Sequence, residues 1–297
     1  MAIVARLGKA TEGAAHGVSD RLRRTGDHAQ SAAVNAVWGD AAGVGPIGSH
    51  HFDGGRADSD SHGQLFGLDL TGQWRQLEAD DVHSVRMNDA EGNPIGVSFP
   101  LGADDVGKIT DWAQAEHRDD WRVYAAEGSG TEWRHSRDQE APWAKDVEAG
   151  RPPIYINAHS SEEYFVVQAT LGPPGSKKTT LVLNGENYGK LVAANSNFRR
   201  AADLHPESPL VMISCNAGAP GAHSARTAAR SLHASGHANR DIHAPTAGFV
   251  TNTSADGHSS RLGILPTYDA AGNELPRIKT FPAPSRSTTA PDPAAPP

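Results

Sequence analysis

The sequence predicts an α/β fold in which helices flank a central, mainly parallel sheet. Short apolar runs alternate with stretches of helical periodicity, and the order strand, helix, strand is typical of parallel βαβ units. The chain has 297 residues, which is long enough to bury a substantial core. Hydrophobic residues make up only 37% of it, beside 31 glycines and 20 prolines, so we expect one folded domain with irregular flanks.

Composition divides the chain into three parts. Residues 1–91 are expected to form an N-terminal extension with short strands, and residues 92–270 the α/β domain. Residues 271–297 are rich in proline, serine and threonine, so we expect a disordered tail there.

The domain begins with an apolar run at residues 95–101, which predicts a core strand. Asp104 is the expected N-cap of a helix whose apolar residues, such as Val106 and Trp112, recur at helical spacing. A second strand is predicted at residues 121–125, and a right-handed crossover would make it parallel to the first.

A long loop is predicted next, at residues 127–150, and regular elements follow it. These are a strand at 153–159, a hairpin of 164–170 and 179–183, a helix at 187–204, a strand at 209–215, a helix at 222–233, and short strands at 241–250 and 261–267.

The strand at 209–215 ends at Cys215, the only cysteine in the chain. The chain then turns through Asn216 and Gly218 toward the next predicted helix. We expect the thiol to lie near that helix N-terminus, where the dipole and free backbone N–H groups favour a thiolate. A single cysteine cannot form an intramolecular disulfide, so the fold does not depend on an oxidising compartment.

A second apolar strand ends at His159, 56 residues before Cys215. In an open α/β sheet the chemistry collects at the carboxyl ends of neighbouring strands, and a strand-end histidine about 50 residues ahead of a strand-end cysteine is the spacing of caspases. This pattern predicts a Cys/His hydrolase. Taken singly, Cys215 also fits a buried structural thiol, and His159 is one of 15 histidines.

These strands resemble those of the caspase-like (clan CD) cysteine peptidases, and most of all the bacterial "lonely Cys" domains. The similarity spans residues 92–267 and includes Gly-Val-Ser-Phe-Pro at 96–100 and Ala-Pro-Thr at 244–246. The resemblance implies a three-layer caspase-like fold and a thiol protease that cleaves peptide bonds, in autoprocessing or within a secreted or conflict-related system.

The resemblance also assigns roles to residues. Cys215 corresponds to the nucleophile, and His159 to the group that assists attack and protonates the leaving amine. The backbone N–H groups of Ser160 and Cys215 would form the oxyanion hole. For the specificity pocket, the candidates are residues 246–250 and the loop at 127–150.

One position departs from the family pattern, because the usual His-Gly pair is His159-Ser160 here. Serine tolerates fewer backbone conformations than glycine, so a requirement for positive φ at Ser160 would compromise the oxyanion hole. The alternative function is therefore a catalytically degenerate caspase-like module that binds peptide or scaffolds a larger assembly.

Three other chemistries find less support in the sequence. Residues 172–179 nearly match the pattern of a phosphate-binding loop. However, Lys177 stands where the pattern has its second glycine, and a predicted β-strand follows where the pattern requires a helix. A cysteine phosphatase needs an arginine at the position of Gly221. The His- and Asp-rich loop at 50–62 offers metal ligands but no regular element to hold them, so a metal-dependent hydrolase is a third alternative. We expect neither a metal nor an organic cofactor.

Charge and hydropathy limit the partners. The formal net charge is −8 and the isoelectric point is near 6, so neither nucleic acid nor an anionic membrane surface is an expected partner.

No apolar run has the length of a signal sequence or a membrane span. We expect a cytoplasmic protein that acts on a peptide or protein substrate, with export by a signal-less route left open. The sequence does not indicate an oligomeric state.

Overall fold

The computed structural model describes residues 64–129, 132–173 and 175–284. The loop at 50–62, most of the predicted N-terminal extension and the last part of the predicted tail, from residue 285, lie outside the described residues. Within them, the strands in chain order are β1 (Leu65–Asp69), β2 (Trp74–Leu77), β3 (Val85–Asn88), β4 (Pro94–Phe99), β5 (His117–Arg118), β6 (Arg122–Ser129), β7 (Glu132–Glu140), β8 (Ile154–Ser160), β9 (Tyr164–Thr170), β10 (Lys178–Asn184), β11 (Leu210–Ile213), β12 (Ile242–Pro245), β13 (Phe249–Thr253), β14 (Ser259–Ile264) and β15 (Ile278–Phe281). The α-helices are α1 (Ala103–Ala113), α2 (Ala144–Glu148), α3 (Gly185–Ala194), α4 (Ser196–Leu204) and α5 (Ser224–Leu232).

The larger of two sheets is mixed, so the prediction of a mainly parallel sheet is wrong. Its strand order is β15-β12-β11-β8-β9-β10-β1-β2, with β4 also beside β8 and β3 beside β4. Only β4, β8, β11 and β12 pair in parallel. The other pairings in this sheet are antiparallel. Two of them, β1 with β2 and β9 with β10, are joined by short turns, which only antiparallel strands allow.

The parallel strands at the centre of this sheet are buried on both faces, as expected for a parallel core. Side chains alternate along β8, so Ile154 and Ile156 pack into one hydrophobic cluster and Tyr155 into another. Helices α3, α4 and α5 supply residues to the first cluster, among them Tyr188 and Phe198. The chain is thus α/β, with α3, α4 and α5 on this face of the sheet.

Helices alone were predicted to cover the opposite face of the sheet, but a helix and a second sheet cover it together. Trp112 of α1 packs there, but so do Val123 and Leu262 from a second sheet. That sheet has the order β13-β14-β6-β7, with β5 beside β14. The strand predicted at 121–125 forms as β6, yet it belongs to this second sheet and not to a βαβ unit with β4.

The long loop predicted at 127–150 is mostly regular structure. It contains β7, which pairs antiparallel with β6, and the short helix α2. The prediction failed because β7 (Glu132–Glu140) is polar apart from Trp133 and shows no apolar alternation. Backbone pairing to β6 forms the strand without an apolar face.

The folded part extends past the predicted limits of 92 and 270. On the N-terminal side, Leu68 of β1 lies opposite Val182 of β10 in the large sheet. On the C-terminal side, β15 pairs with β12, although its residues fall in the predicted tail.

The single helix predicted at 187–204 is two helices. Asn195 has extended dihedral angles, φ −70° and ψ 128°, and ends α3. Its side chain accepts hydrogen bonds from the N–H groups of Asn197 and Phe198, so it is also the N-cap of α4.

His243 of β12 is a buried histidine whose protonation opposes folding. Its side chain is almost fully enclosed, its Nδ1 lies 3.0 Å from Thr280 Oγ1, and its Nε2 has no hydrogen-bond partner in the structure. Burial lowers the pKa of His243 to about 4. Between pH 6.5 and 4 the unfolded chain therefore binds more protons at this residue than the folded one, and stability falls as the pH falls through this window.

We expect His243→Gln to reduce the acid sensitivity of the fold. Between pH 7 and pH 4.5 the free energy of unfolding should fall by about 2 kcal/mol less in His243→Gln than in the wild type. Urea denaturation at the two pH values measures this difference. The exposed His117→Gln is the matched control, and an equal loss in His243→Gln and His117→Gln would contradict the assignment.

Candidate active site

The structure places His159 and Cys215 at the carboxyl ends of neighbouring parallel strands. Asn157 of β8 lies opposite Ile213 of β11 in the register of these strands. His159 lies two residues after Asn157, near the end of β8, and Cys215 lies two residues after Ile213, in the turn that follows β11. The Oγ of Ser160 donates a 2.6 Å hydrogen bond to the carbonyl oxygen of Cys215, which shows that the two segments stay together beyond the strand ends.

Asn157 ties three parallel strands together next to the candidate residues. Its Nδ2 donates to the carbonyl oxygen of Ile213 at 3.1 Å, and its Oδ1 accepts from Ser98 Oγ at 2.7 Å. Ser98 lies on β4, so one side chain links β4, β8 and β11. Polar residues buried in a strand pattern were the available signal for this link, and the sequence analysis did not use it.

His159 has a carboxylate partner that the sequence analysis missed. Its Nε2 lies 3.0 Å from Asp105 Oδ2, and the imidazole side chain is 55% exposed. Asp105 lies in the first turn of α1, which follows β4, so it reaches the same edge of the sheet as His159. Gly102 is the N-cap of this helix, not Asp104 as predicted. A carboxylate in the first turn after an adjacent strand was the signal that could have identified Asp105.

The surroundings of Asp105 keep it ionised. Burial acts to raise the pKa of this carboxyl, but the hydrogen bond and charge of His159 and the N–H of Leu101 together lower it below its ordinary value. Since Nε2 of His159 faces Asp105, Nδ1 is the ring nitrogen left to accept a proton from a thiol.

The Cys215 thiol lies on the same side of the sheet as Asp105. It is partly buried and accepts a hydrogen bond from the backbone N–H of Phe249, which packs against the cluster on the α1 side. Burial raises the pKa of the Cys215 thiol, and the N–H groups of Phe249 and of Cys215 itself offset this only in part. The resting residue is therefore a neutral thiol.

The N-terminus of the following helix contacts the turn after Cys215, because the N–H of Ala225 donates to the carbonyl oxygen of Ala217 at 3.2 Å. Helix α5 begins only at Ser224, after an irregular segment of turns. The expected thiolate is opposed by burial, which raises the pKa of the Cys215 thiol.

The turn after Cys215 is held by backbone contacts. Asn216 has a φ of 58°, in the left-handed region, and its N–H donates to the carbonyl oxygen of Ala247 at 3.0 Å. Gly218 N–H donates to Pro245 O at 2.8 Å, and a Cβ at Gly218 would lie 2.6 Å from the carbonyl oxygen of Ala244. Asparagine tolerates this conformation better than most residues, and only glycine fits at 218.

Ser160 does not need the backbone freedom of glycine. Among the non-glycine residues that the structure describes, positive φ occurs only at Arg137 and Asn216. Ser160 continues strand β8, so serine is compatible with the conformation here. The departure from the family's His-Gly pair therefore creates no backbone strain.

The two segments considered for the specificity pocket differ in position. Phe249 contacts the thiol, but Thr246 is buried and its Oγ1 donates to the carbonyl oxygen of Pro276 at 2.7 Å, which occupies the hydroxyl. The segment at 127–150 is β7 and α2, as described above. Ala247, which accepts the hydrogen bond of Asn216, and Phe249 are thus the residues of the predicted pocket that lie next to Cys215 and the residue after it.

Metal ligands and membrane spans were also sought in the described part of the chain. It contains no group of three or more histidine, cysteine or acidic side chains arranged to bind a metal ion. None of its helices combines the length and apolar character that crossing a membrane requires. Comparison with protein-family models, with curated proteins and with solved structures finds no match to this chain.

We expect the turn after Cys215 to tolerate glycine but not alanine at Asn216. In the left-handed region the Cβ of alanine comes too close to the following carbonyl oxygen, and glycine has no Cβ. Asn216→Ala should therefore be about 1 kcal/mol less stable than Asn216→Gly. Urea denaturation of the two variants measures the difference. Equal stability, or a more stable Asn216→Ala, would mean that the turn relaxes to negative φ.

Proposed function

We propose that this protein is a caspase-like cysteine endopeptidase with Cys215 as nucleophile and His159 as general base and acid. The observation that carries the proposal is the shared register of β8 and β11, which brings the thiol and imidazole segments together at one edge of the sheet. The parallel strands β4, β8, β11 and β12 with helices on one face support a caspase-like core. The resemblance to bacterial "lonely Cys" domains points to the same chemistry.

The proposed reaction transfers the thiol proton at the moment of attack. Cys215 Sγ forms a bond to the carbonyl carbon of the substrate while Nδ1 of His159 takes the proton. The backbone N–H groups of Ser160 and Cys215 stabilise the oxyanion. When the C–N bond breaks, His159 returns the proton to the leaving amine. Water then attacks the thioester with His159 as base, the C–S bond breaks, and the imidazolium returns the proton to the Cys215 thiolate to restore the thiol.

Asp105 gives His159 the electrostatic support that this sequence of steps needs. A neutral thiol is a poor nucleophile, so the base must become charged as the thiol loses its proton. The ionised carboxylate 3.0 Å from Nε2 stabilises that imidazolium and fixes the ring orientation. Asp105 acts through His159, so we assign it as a positioning residue.

The second candidate function is a non-catalytic caspase-like module that binds a peptide or scaffolds an assembly. The observation that favours it is the burial of the thiol, which raises the pKa of Cys215 and lowers its intrinsic reactivity. In both cases the partner is a peptide or protein.

The rate of Cys215 alkylation by iodoacetamide distinguishes the two functions. Cys215 is the only cysteine, so all labelling reports on it. If His159 removes the thiol proton, wild-type labelling at pH 7 should be at least about tenfold faster than in His159→Ala, with Asp105→Asn between the two. Mass spectrometry over a pH series measures the rates.

Two control variants belong with this experiment. His117→Ala removes an exposed histidine that is distant from His159 in the sequence. Asp104→Asn removes the carboxylate next to Asp105 in the sequence. In both variants Cys215 should be alkylated at the wild-type rate. Slow labelling that is equal in wild type and His159→Ala would overturn the catalytic proposal and leave the binding module.

A further inference from the structure

The hydroxyl of Ser160 reaches from β8 to the main chain of the candidate nucleophile. Its Oγ donates a 2.6 Å hydrogen bond to the carbonyl oxygen of Cys215. The last backbone pairing between β8 and β11 joins Asn157 to Ile213, so this contact lies beyond the end of the ladder. Glycine, which the caspase-like pattern has at this position, has no side chain with which to make the contact. The hydrogen bond therefore belongs to this chain and not to the family pattern.

The peptide group between Cys215 and Asn216 is held at both ends. Ser160 binds its carbonyl oxygen, and its N–H, which belongs to Asn216, donates to the carbonyl oxygen of Ala247 at 3.0 Å. The φ of 58° at Asn216 places the bend of the chain directly after this peptide group. Two hydrogen bonds at opposite ends of the plane leave the Cα of Cys215, and with it the N–H of Cys215, little freedom to turn.

The backbone N–H of Ser160 points to the same edge of β8 as its hydroxyl. Ser161 N–H donates to the carbonyl oxygen of Tyr164 at 2.9 Å, so these two residues form a hydrogen-bonded pair of the hairpin. Such pairs alternate with non-hydrogen-bonded pairs along antiparallel strands. Ser160 lies opposite Phe165, one position further along, so its N–H points away from β9. On that side of β8 lies β11, which leads to Cys215.

The hydroxyl thus joins the two residues whose N–H groups are the expected oxyanion hole. Two such donors act together only when both lie about 3 Å from the position that the oxyanion will occupy. The backbone ladder does not set the spacing between Ser160 and Cys215, because it ends at Asn157 and Ile213. The hydrogen bond from the Ser160 hydroxyl to the Cys215 carbonyl spans this gap.

We propose that the Ser160 hydroxyl is a positioning group that sets the spacing between the N–H groups of Ser160 and Cys215. The inference rests on the proposed function, because these N–H groups matter only when Cys215 attacks a carbonyl group. The hydroxyl acts through the main chain of Cys215, so its loss displaces an oxyanion donor and leaves the thiol and His159 in place. Serine at this position is then a functional replacement for the glycine of the family pattern.

Two reactions of Cys215 separate this role from a contribution to folding. Alkylation by iodoacetamide displaces iodide from a methylene carbon and forms no oxyanion. Acylation by p-nitrophenyl acetate does form one: the thiol proton passes through His159 to solvent, Sγ bonds to the carbonyl carbon, p-nitrophenolate leaves, and an acetyl thioester remains. Release of p-nitrophenolate, with Cys215→Ala as background, measures acylation, and mass spectrometry measures alkylation.

Ser160→Ala should be acylated about tenfold more slowly than the wild type and alkylated at the wild-type rate. The expected loss is smaller than the roughly hundredfold or greater cost of removing an oxyanion donor, because the N–H remains and is only displaced. A purely structural role of the hydroxyl would slow both reactions together.

Three matched variants complete the test. Ser160→Thr keeps the hydroxyl and should be acylated at close to the wild-type rate, whereas Ser160→Gly introduces the family residue without a hydroxyl and should be as slow as Ser160→Ala. Ser161→Ala removes the neighbouring hydroxyl, which accepts from the N–H groups of Glu163 and Tyr164 within the hairpin turn, and should leave both rates unchanged. Urea denaturation establishes that each variant is folded.

The outcomes separate the positioning role from the proposed function. Wild-type acylation in Ser160→Ala or Ser160→Gly would overturn the positioning role, as would an equal fall in acylation and alkylation, or a Ser160→Thr as slow as Ser160→Ala. A wild type that is alkylated with the help of His159 but acylated no faster than Cys215→Ala would overturn the positioning role alone. Alkylation that is equally slow in wild type and His159→Ala would overturn the proposed function and the positioning role together.

Discussion

The register of β8 against β11 is the constraint on which the candidate site depends. Because Asn157 lies opposite Ile213, the two chain segments that leave these strands start at the same level, and the hydrogen bond from Ser160 to the Cys215 carbonyl keeps them adjacent. A slip of one residue would move either side chain to the opposite face of the sheet. Asn157 opposes such a slip through its hydrogen bonds to β11 and β4.

The chemistry of the site follows from how differently its groups are solvated. Burial keeps the Cys215 thiol neutral, while Asp105 remains ionised beside a half-exposed imidazole. Under the proposed mechanism, such an arrangement separates charge during attack on the substrate and not in the resting protein. The arrangement resembles the logic of a triad, in which the carboxylate stabilises the imidazolium that forms during the reaction.

The sequence predicted the strand ends because their signal is local. Apolar runs that stop at His159 and at Cys215 need no knowledge of the rest of the chain, and β8 and β11 formed where expected. Asp105 was missed because its role depends on α1 following a strand that neighbours β8, which is a fact of topology. The second sheet was missed because β7 is polar apart from Trp133 and forms by backbone pairing. The helix break at Asn195 depends on a cap that competes with helix continuation, and periodicity alone does not reveal it.

The central claim is that Cys215 cleaves peptide bonds with the help of His159. The most direct measurement is incubation of the full chain with a complex peptide library, followed by mass spectrometry of newly formed termini. The account predicts cleavage products from the wild type that are absent with Cys215→Ala and strongly reduced with His159→Ala. Products that persist in Cys215→Ala, or a wild type that yields none, would contradict it.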